Sequence, residues 1–450
     1  MEIEELVQQL QQLLEAKEYR KLRELTEDMQ PADLAEAMEE MDVQQRLLLF
    51  RLMKKEVAAE IFAWLGQEAR GELIEKFSDT ELTAALEEMA LDDAADILEE
   101  MPASVVKRVL AKSSKKTRDS LNRLLNYPAD SAGSIMTPEY IRLRKDMTVT
   151  QALDVIRREG ENSETVYTLY VTERNKLLGV VSARDLLLAG PDQTMEELMD
   201  DNVISVQVTD DKEEVANELN RYGFIAMPVV DSEGMLVGIV TVDDATDVLI
   251  EEATEDFERM AAMQPSEDSY FATSVFKHAR NRIPWLLVLM LSATFTGMIL
   301  THYEAAFAAM PLLVSFIPML MDTGGNCGNQ SSTLMIRGMA LGEIEPKDIL
   351  RVVWKEFRVA LLVGVVLAVV NGVRIWIMYG DFMIGVLIAV TLLAAVVIAK
   401  LIGCMLPLGV QKVGLDPALI ASPFITTLVD ACVITVYFTI AVQMFSALQG

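Results

Sequence analysis

The sequence predicts a multidomain fold: an all-α superhelical domain, an α+β tandem pair, an acidic connecting helix and a five-helix α-helical transmembrane domain. Three observations predict it. Residues 281–450 hold nine acidic and nine basic residues, so the net charge of −29 lies in residues 1–280. Five apolar stretches crowd the neutral part. Two internal repeats of different period fill the acidic part. The boundaries fall at 1–130, 131–197, 198–245, 246–278 and 279–450.

The first domain rests on a repeat of about twelve residues over 31–113. Ala32–Met41, Thr80–Met89 and Asp92–Met101 share one pattern, with Val43–Met53, Glu56–Gly66 and Gln67–Phe77 in phase between them. Each unit predicts a short helix too small to bury its own apolar stripe, so neighbours must stack. Asp92 and Asp96 are four apart and share a helix face. That face suits either plain solvation or a cation-assisted contact with the next domain.

From Met136 short β-rich runs alternate with helices, and the pattern occurs twice. Val166–Val171 and Leu178–Asp185 form the first copy, Ala226–Asp231 and Val237–Asp244 the second. Each copy ends in Ser/Thr-x-x-Asp (Ser182 to Asp185, Thr241 to Asp244), a pattern that opens a helix. Thr246–Met263 then reads as one acidic helix. Its Glu252, Glu255 and Asp256 stand at i, i+3 and i+4. Like charges so placed destabilise an isolated helix, and a bound divalent cation removes that penalty.

The five apolar stretches are Ile283–Leu300, Ala305–Ile336, Val359–Val373, Phe382–Ala399 and Pro417–Gly450. A span needs about 20 mostly apolar residues, which each reaches with its flanks. The second is broken by Pro311, Pro318 and the run Asp322-Thr323-Gly324-Gly325-Asn326-Cys327-Gly328-Asn329-Gln330. Such a run at membrane depth belongs against protein or beside a water-filled cavity, so helix packing and a polar path are both open. Asp430 is the only charged residue after Asp416. A carboxylate inside hydrocarbon costs roughly 2.5–3.5 kcal/mol, a cost met where it faces a cation path. If the first span runs outward, Arg282, Arg337, Lys347, Arg351, Lys355, Arg358, Lys400 and Lys412 fall on one side and Arg374 alone on the other. The acidic region is then cytosolic and the C-terminus extracytosolic.

Composition also excludes. Strong acidity argues against nucleic acid as a partner. No G-x-x-x-x-G-K-[ST] run occurs, so no nucleotide-hydrolysing motor is indicated. Cys327, Cys404, Cys432 and two histidines do not make a soft-metal site or a disulfide framework. The Met1-Glu2-Ile3-Glu4-Glu5 start lacks the basic and apolar runs of a signal peptide, so the acidic region is expected to stay in the cytosol.

The tandem pair resembles cystathionine-β-synthase-type (CBS) domains. The whole order resembles the MgtE family of magnesium transporters, carried by Thr323–Gln330, Leu415-Asp416-Pro417-Ala418 and Pro423 through Asp430. The resemblance implies a homodimeric, non-enzymatic, Mg²⁺-selective channel of the plasma membrane, with its pore between two membrane domains and closed by cytosolic Mg²⁺. It assigns Asp430 and the Thr426 carbonyl to the pore and Asp416 to the cytosolic mouth. Gly325, Asn326 and Asn329 of the glycine run, with the additional acid Asp322, join the ion path. It assigns regulatory Mg²⁺ to Glu60, Asp92, Asp96, Gly133, Glu213, Asp244, Asp247, Glu252, Glu255 and Asp256. ATP or a related adenine nucleotide is placed at Tyr167, Arg184, Asp185, Phe224 and Asp244. Two departures stand out: Gly223 replaces an acid, and Ser422 replaces the Asn before Pro423. Two other readings remain: carriage of another divalent ion such as Co²⁺, and a membrane-tethered nucleotide sensor. Asp430 and the glycine run argue against a mere anchor, and oxygen donors argue for a hard cation.

Overall fold

The computed structural model describes residues 3–445 apart from 267–269, 271–272, 305–307, 309 and 420–421. The chain divides into two compact units, Met1–Glu252 and Ala253–Gly450, each considered by itself below.

The first unit opens with ten short helices, from Ile3–Glu15 to Lys115–Leu124. From Pro31–Glu39 onward they are nine or ten residues long, so the repeat continues one helix past residue 113. Along most of the array each helix packs on the one two further along, as units too short to bury a stripe alone require. The Phe50, Phe62 and Phe77 rings meet with centroids 4.9–5.8 Å apart. Arg46, unnoticed in the sequence, is buried beside this core. Its guanidinium donates to the Met38, Glu39, Met41 and Ala69 carbonyls and to Glu72. Three of these carbonyls, Met38, Glu39 and Met41, lie at the end of the Pro31–Glu39 helix or just past it, where the chain offers few amide donors.

Two three-stranded sheets of the same topology follow. In the first, Thr165–Glu173 lies between parallel Tyr140–Arg144 and antiparallel Lys176–Ser182. In the second, Ala226–Val230 lies between parallel Val206–Gln207 and antiparallel Leu236–Thr241. The copies are stitched together by bridges at Thr137–Ile239 and Lys176–Met235. Ser182 caps its helix through the Asp185 amide, and Asp185 reaches back in a capping box. The Thr241 hydroxyl donates to the Asp244 carboxylate, as the Ser182 hydroxyl does to that of Asp185. The acidic helix therefore begins at Val242, four residues earlier than expected, because it is the cap-bearing helix of the second copy extended. It ends at Met260, just before Ala262 takes a positive φ of 55°. Residues 267–269 and 271–272 of the expected 246–278 connecting segment lie outside the described residues.

Among the described residues, the second unit holds the long helices Val275–His302, Ile317–Ala340, Ile349–Tyr379, Phe382–Lys412 and Ser422–Met444. Four of them are long and apolar enough to cross a membrane. The second long helix falls short because its glycines, amides and Asp322 dilute its hydropathy. The third and fourth form a hairpin. Gly380 turns the chain at φ 70°, and Asp381 caps the fourth helix by accepting from the Met383 and Ile384 amides. The fourth apolar stretch, expected to end at Ala399, continues as helix to Lys412, and Lys400 is buried near the middle of that helix. The third helix extends past both ends of the expected Val359–Val373 stretch and includes Arg351, Lys355, Arg358 and Arg374.

Candidate ion path and regulatory site

The second long helix is laid against the fourth and fifth by its glycines. A Cβ at Gly325 would lie 2.8 Å from Thr426 Cγ2, and one at Gly324 would lie 3.0 Å from Val433. A Cβ at Gly403 of the fourth helix would lie 2.2 Å from the Gly328 carbonyl oxygen. Small residues are what let helices approach this closely in lipid. Gly325 is thus buried and acts through closeness of approach, not by exposing polar surface.

The adjoining edge of the same helix is polar. Asp322 and Asn326 are exposed, one turn apart, and Asn326 donates to Asp322 at 3.2 Å. Asn329 donates to the Thr426 hydroxyl of the fifth helix at 3.1 Å. Asp430 stands one turn beyond Thr426. Its Oδ1 is enclosed and has no hydrogen-bond partner among the described residues. So Asp322, Asn326, Asn329, Thr426 and Asp430 lie on two helices in contact. The side chain of Ser422 lies outside the described residues.

Asp416 sits just before the fifth helix and accepts from the Ala418 amide at 2.8 Å. Arg259, at the end of the acidic helix, pairs with both Asp416 and Glu255. Nothing beside Arg259 in the chain marks its role, since its partner lies 157 residues away. Beside it, burial and then the Asp416 charge raise the Asp256 carboxyl above its ordinary range.

A second acidic locus lies within the first unit. Asp92 is buried on the Leu91–Glu99 helix, and burial pushes its carboxyl up. Asp244 is pushed to about 8, first by burial and then by Asp92. Asp96 and Glu164 rise to about 7 and Asp93 to about 6, by burial first and neighbouring acids after. These last three keep contact with solvent, and water moderates their repulsion. Asp93, Glu139, Glu164 and Asp243 are members that sequence reasoning missed, since they come from four separate segments. Asp247 is raised by burial and Asp243. Glu60 is exposed on a helix that packs against that of Asp92. Glu213 follows its helix cap and accompanies Lys212, which reaches Asp130 at 3.8 Å and Glu251 at 3.7 Å. Glu252 is half-buried on the acidic helix.

Among the described residues, no three His, Cys, Asp or Glu side chains converge to hold one metal ion. The donors are all oxygen, which suits a hard cation. Gly133 has no room for a side chain: a Cβ would lie 2.6 Å from Tyr127 and 2.8 Å from Val208. Gly223, the departure noted in the sequence, caps the Lys212–Tyr222 helix at φ 66°, where an acid would be strained. Of the nucleotide candidates, Tyr167 and Arg184 are exposed and Asp185 is engaged in its cap. Phe224 stacks on Tyr222 at 5.4 Å.

Family models agree with this architecture. A divalent cation transporter model matches residues 317–440, the MgtE intracellular N domain matches 29–130, and CBS domains match 132–192 and 195–251. The chain is 37% identical to the magnesium transporter MgtE of Thermus thermophilus, over 93% of this chain and 94% of that one. The chain belongs to the MgtE family. A second MgtE, from Bacillus subtilis, is 34% identical over 100% of this chain and 99% of its own. A crystal structure described as the cytosolic domain of the Mg²⁺ channel MgtE in complex with ATP superposes with a TM-score of 0.51 at 38% identity. It covers 54% of this chain and 99% of that one. This MgtE chain thus combines the family's N domain, its CBS pair and a helical C-terminal part with several apolar helices.

Proposed function

We propose that this chain is a homodimeric, Mg²⁺-selective channel of the plasma membrane, with its cytosolic units closing it when Mg²⁺ is abundant. The observation that carries the reading is the polar edge of Asp322, Asn326, Asn329, Thr426 and Asp430 on two tightly crossed helices. Exposed to lipid, that edge would be costly. Covered by the same edge of a second copy, it makes a path lined by oxygen donors and carboxylates.

Mg²⁺ gives up its water reluctantly. A path that holds the hydrated ion by outer contacts avoids most of that cost, and paired Asp430 carboxylates attract it. The membrane potential supplies about 4.6 kcal/mol per Mg²⁺ at 100 mV, so no motor is required. Five helices cross the bilayer in this reading, with the first unit cytosolic and the C-terminus outside.

Regulatory Mg²⁺ would be held by Asp92, Asp96 and Asp244, with Asp247, Glu252, Glu255 and Asp256 along the acidic helix. Crowded carboxylates whose ionisation burial already opposes are a fitting donor set. A cation there removes repulsion, and closure follows if the closed state binds it more tightly. ATP or a related nucleotide would stack on Tyr167 or Phe224, with Asp185 or Asp244 on the ribose.

The test is ion flux into lipid vesicles carrying the purified full chain, with Mg²⁺ compared against Ca²⁺ and Co²⁺. Mg²⁺ uptake in excess of both is expected. Flux of Co²⁺ alone would move the reading to another divalent ion, and no flux of any ion would overturn it.

A further inference from the structure

We infer that Lys400, Glu356 and Ser331 form a positioning site that fixes the rotation and depth of the Ile317–Ala340 helix. All three are buried and come from three different long helices. Lys400 Nζ donates to Ser331 Oγ at 3.1 Å, and Ser331 Oγ donates to Glu356 Oε2 at 2.7 Å. Nζ itself lies 3.8 Å from that carboxylate oxygen. The serine's single proton is committed to the carboxylate, so the donors run in one sense from ammonium to carboxylate.

The placement gives the network its effect. Ser331 follows Gly328 by three residues, and Lys400 precedes Gly403 by three. Gly328 and Gly403 are the point of closest approach, so the polar contact lies about one turn from it. On the other side, Asn329 bonds Thr426, and Gly325 lies beneath the Thr426 methyl. Residues 325–331 are therefore tied to the third and fourth helices on one side and to the fifth on the other. Apolar packing alone specifies helix rotation weakly in lipid, because hydrocarbon tails compete for the same surface. A buried ionic network specifies it strongly, because any rotation leaves a charge unpaired. Asp322 and Asn326 thereby keep their aim. The inference rests on the ion-path reading above.

The experiment uses the full chain in lipid vesicles. Ser331→Ala removes both hydroxyl bonds and adds no volume. Lys400→Met and Glu356→Gln each strand a partner, and the exchange Lys400→Glu with Glu356→Lys restores opposite charges. For equal amounts of folded protein, Mg²⁺ flux should fall about tenfold or more in the single charge variants. The Mg²⁺-to-Ca²⁺ flux ratio should shift in all three single variants, and the exchange should recover both readouts. A role in stability alone would lower the yield of folded protein and leave flux per molecule and the ratio unchanged.

A second readout does not depend on transport. In a chain whose Cys327, Cys404 and Cys432 are serine, Asn329→Cys and Thr426→Cys should cross-link readily. Adding Ser331→Ala should slow that reaction. If Lys400→Met and Glu356→Gln fail to fold, Ser331→Ala decides by the same readouts. Unchanged flux, ratio and cross-linking in folded variants would overturn the inference. Vesicles of the unaltered chain that pass no Mg²⁺ would sink the ion-path reading instead, and cross-linking would still decide the role of the network.

Discussion

Replacing Gly403 by alanine tests the helix crossing on which the ion path is built. The added Cβ would lie 2.2 Å from the Gly328 carbonyl oxygen, a backbone atom that cannot swing aside. Restoring ordinary contact requires the second and fourth long helices to part by roughly 1 Å. Overpacking of this kind typically costs 1–3 kcal/mol. The shift also strains the Asn329–Thr426 bond at 3.1 Å, worth about 1 kcal/mol. Against this stands the higher helix propensity of alanine, at most about 1 kcal/mol. The net expectation is a loss of about 1–3 kcal/mol. Gly409 is the internal control: it lies on the same helix, and a Cβ there would meet nothing within 4 Å. Gly409→Ala should be neutral or slightly stabilising. The assay is thermal unfolding in detergent, followed by loss of the intact elution peak. Gly403→Ala should melt below the unaltered chain, and Gly409→Ala at or above it. Equal midpoints for the two variants would refute the close crossing.

Arg46→Met should lower the stability of the first unit by roughly 2–5 kcal/mol, since several buried carbonyls lose a donor at once; chemical denaturation of residues 1–252 measures it. In chelator, the same unit should lose stability as pH rises from about 5 to 8. Asp93, Asp96, Glu164 and Asp244 hold their protons to about 6–8 when folded but release them near 4 when unfolded, so the folded state binds more protons across that window. Adding Mg²⁺ at pH 8 should restore the midpoint, and a midpoint that climbs with pH in chelator would contradict the clustering of these acids. Neutralising Glu252, Glu255 and Asp256 together should leave current flowing in inside-out patches at Mg²⁺ levels that silence the unaltered channel. Superimposable inhibition curves would remove the acidic helix from the sensor.

Local features were the legible ones. The twelve-residue repeat and the Ser182–Asp185 and Thr241–Asp244 caps depend on neighbours three or four residues away, and they stand as read. Asp430 and the glycine run were visible because polarity inside an apolar stretch is anomalous in itself. What stayed hidden was set by pairing across the chain. Lys400 looked like the end of a span because the apolar run stops at Ala399, and its partner Glu356 lies on another helix. Arg259 and Asp416 meet across 157 residues, and Gly403 acquires meaning only opposite Gly328. No periodicity within one segment records such contacts.

In the proposed channel Asp430 serves the ion rather than the fold. Its Oδ1 has no hydrogen-bond partner among the described residues, so the side chain does little for packing that asparagine would not do. The most direct measurement is Mg²⁺ influx into lipid vesicles for Asp430→Asn against the unaltered chain, at equal amounts of intact protein. Asp430→Asn should fold normally and pass Mg²⁺ at least about tenfold more slowly, the change expected if roughly 1.4 kcal/mol of attraction is lost from the path. Influx at the unaltered rate from the folded variant would contradict it.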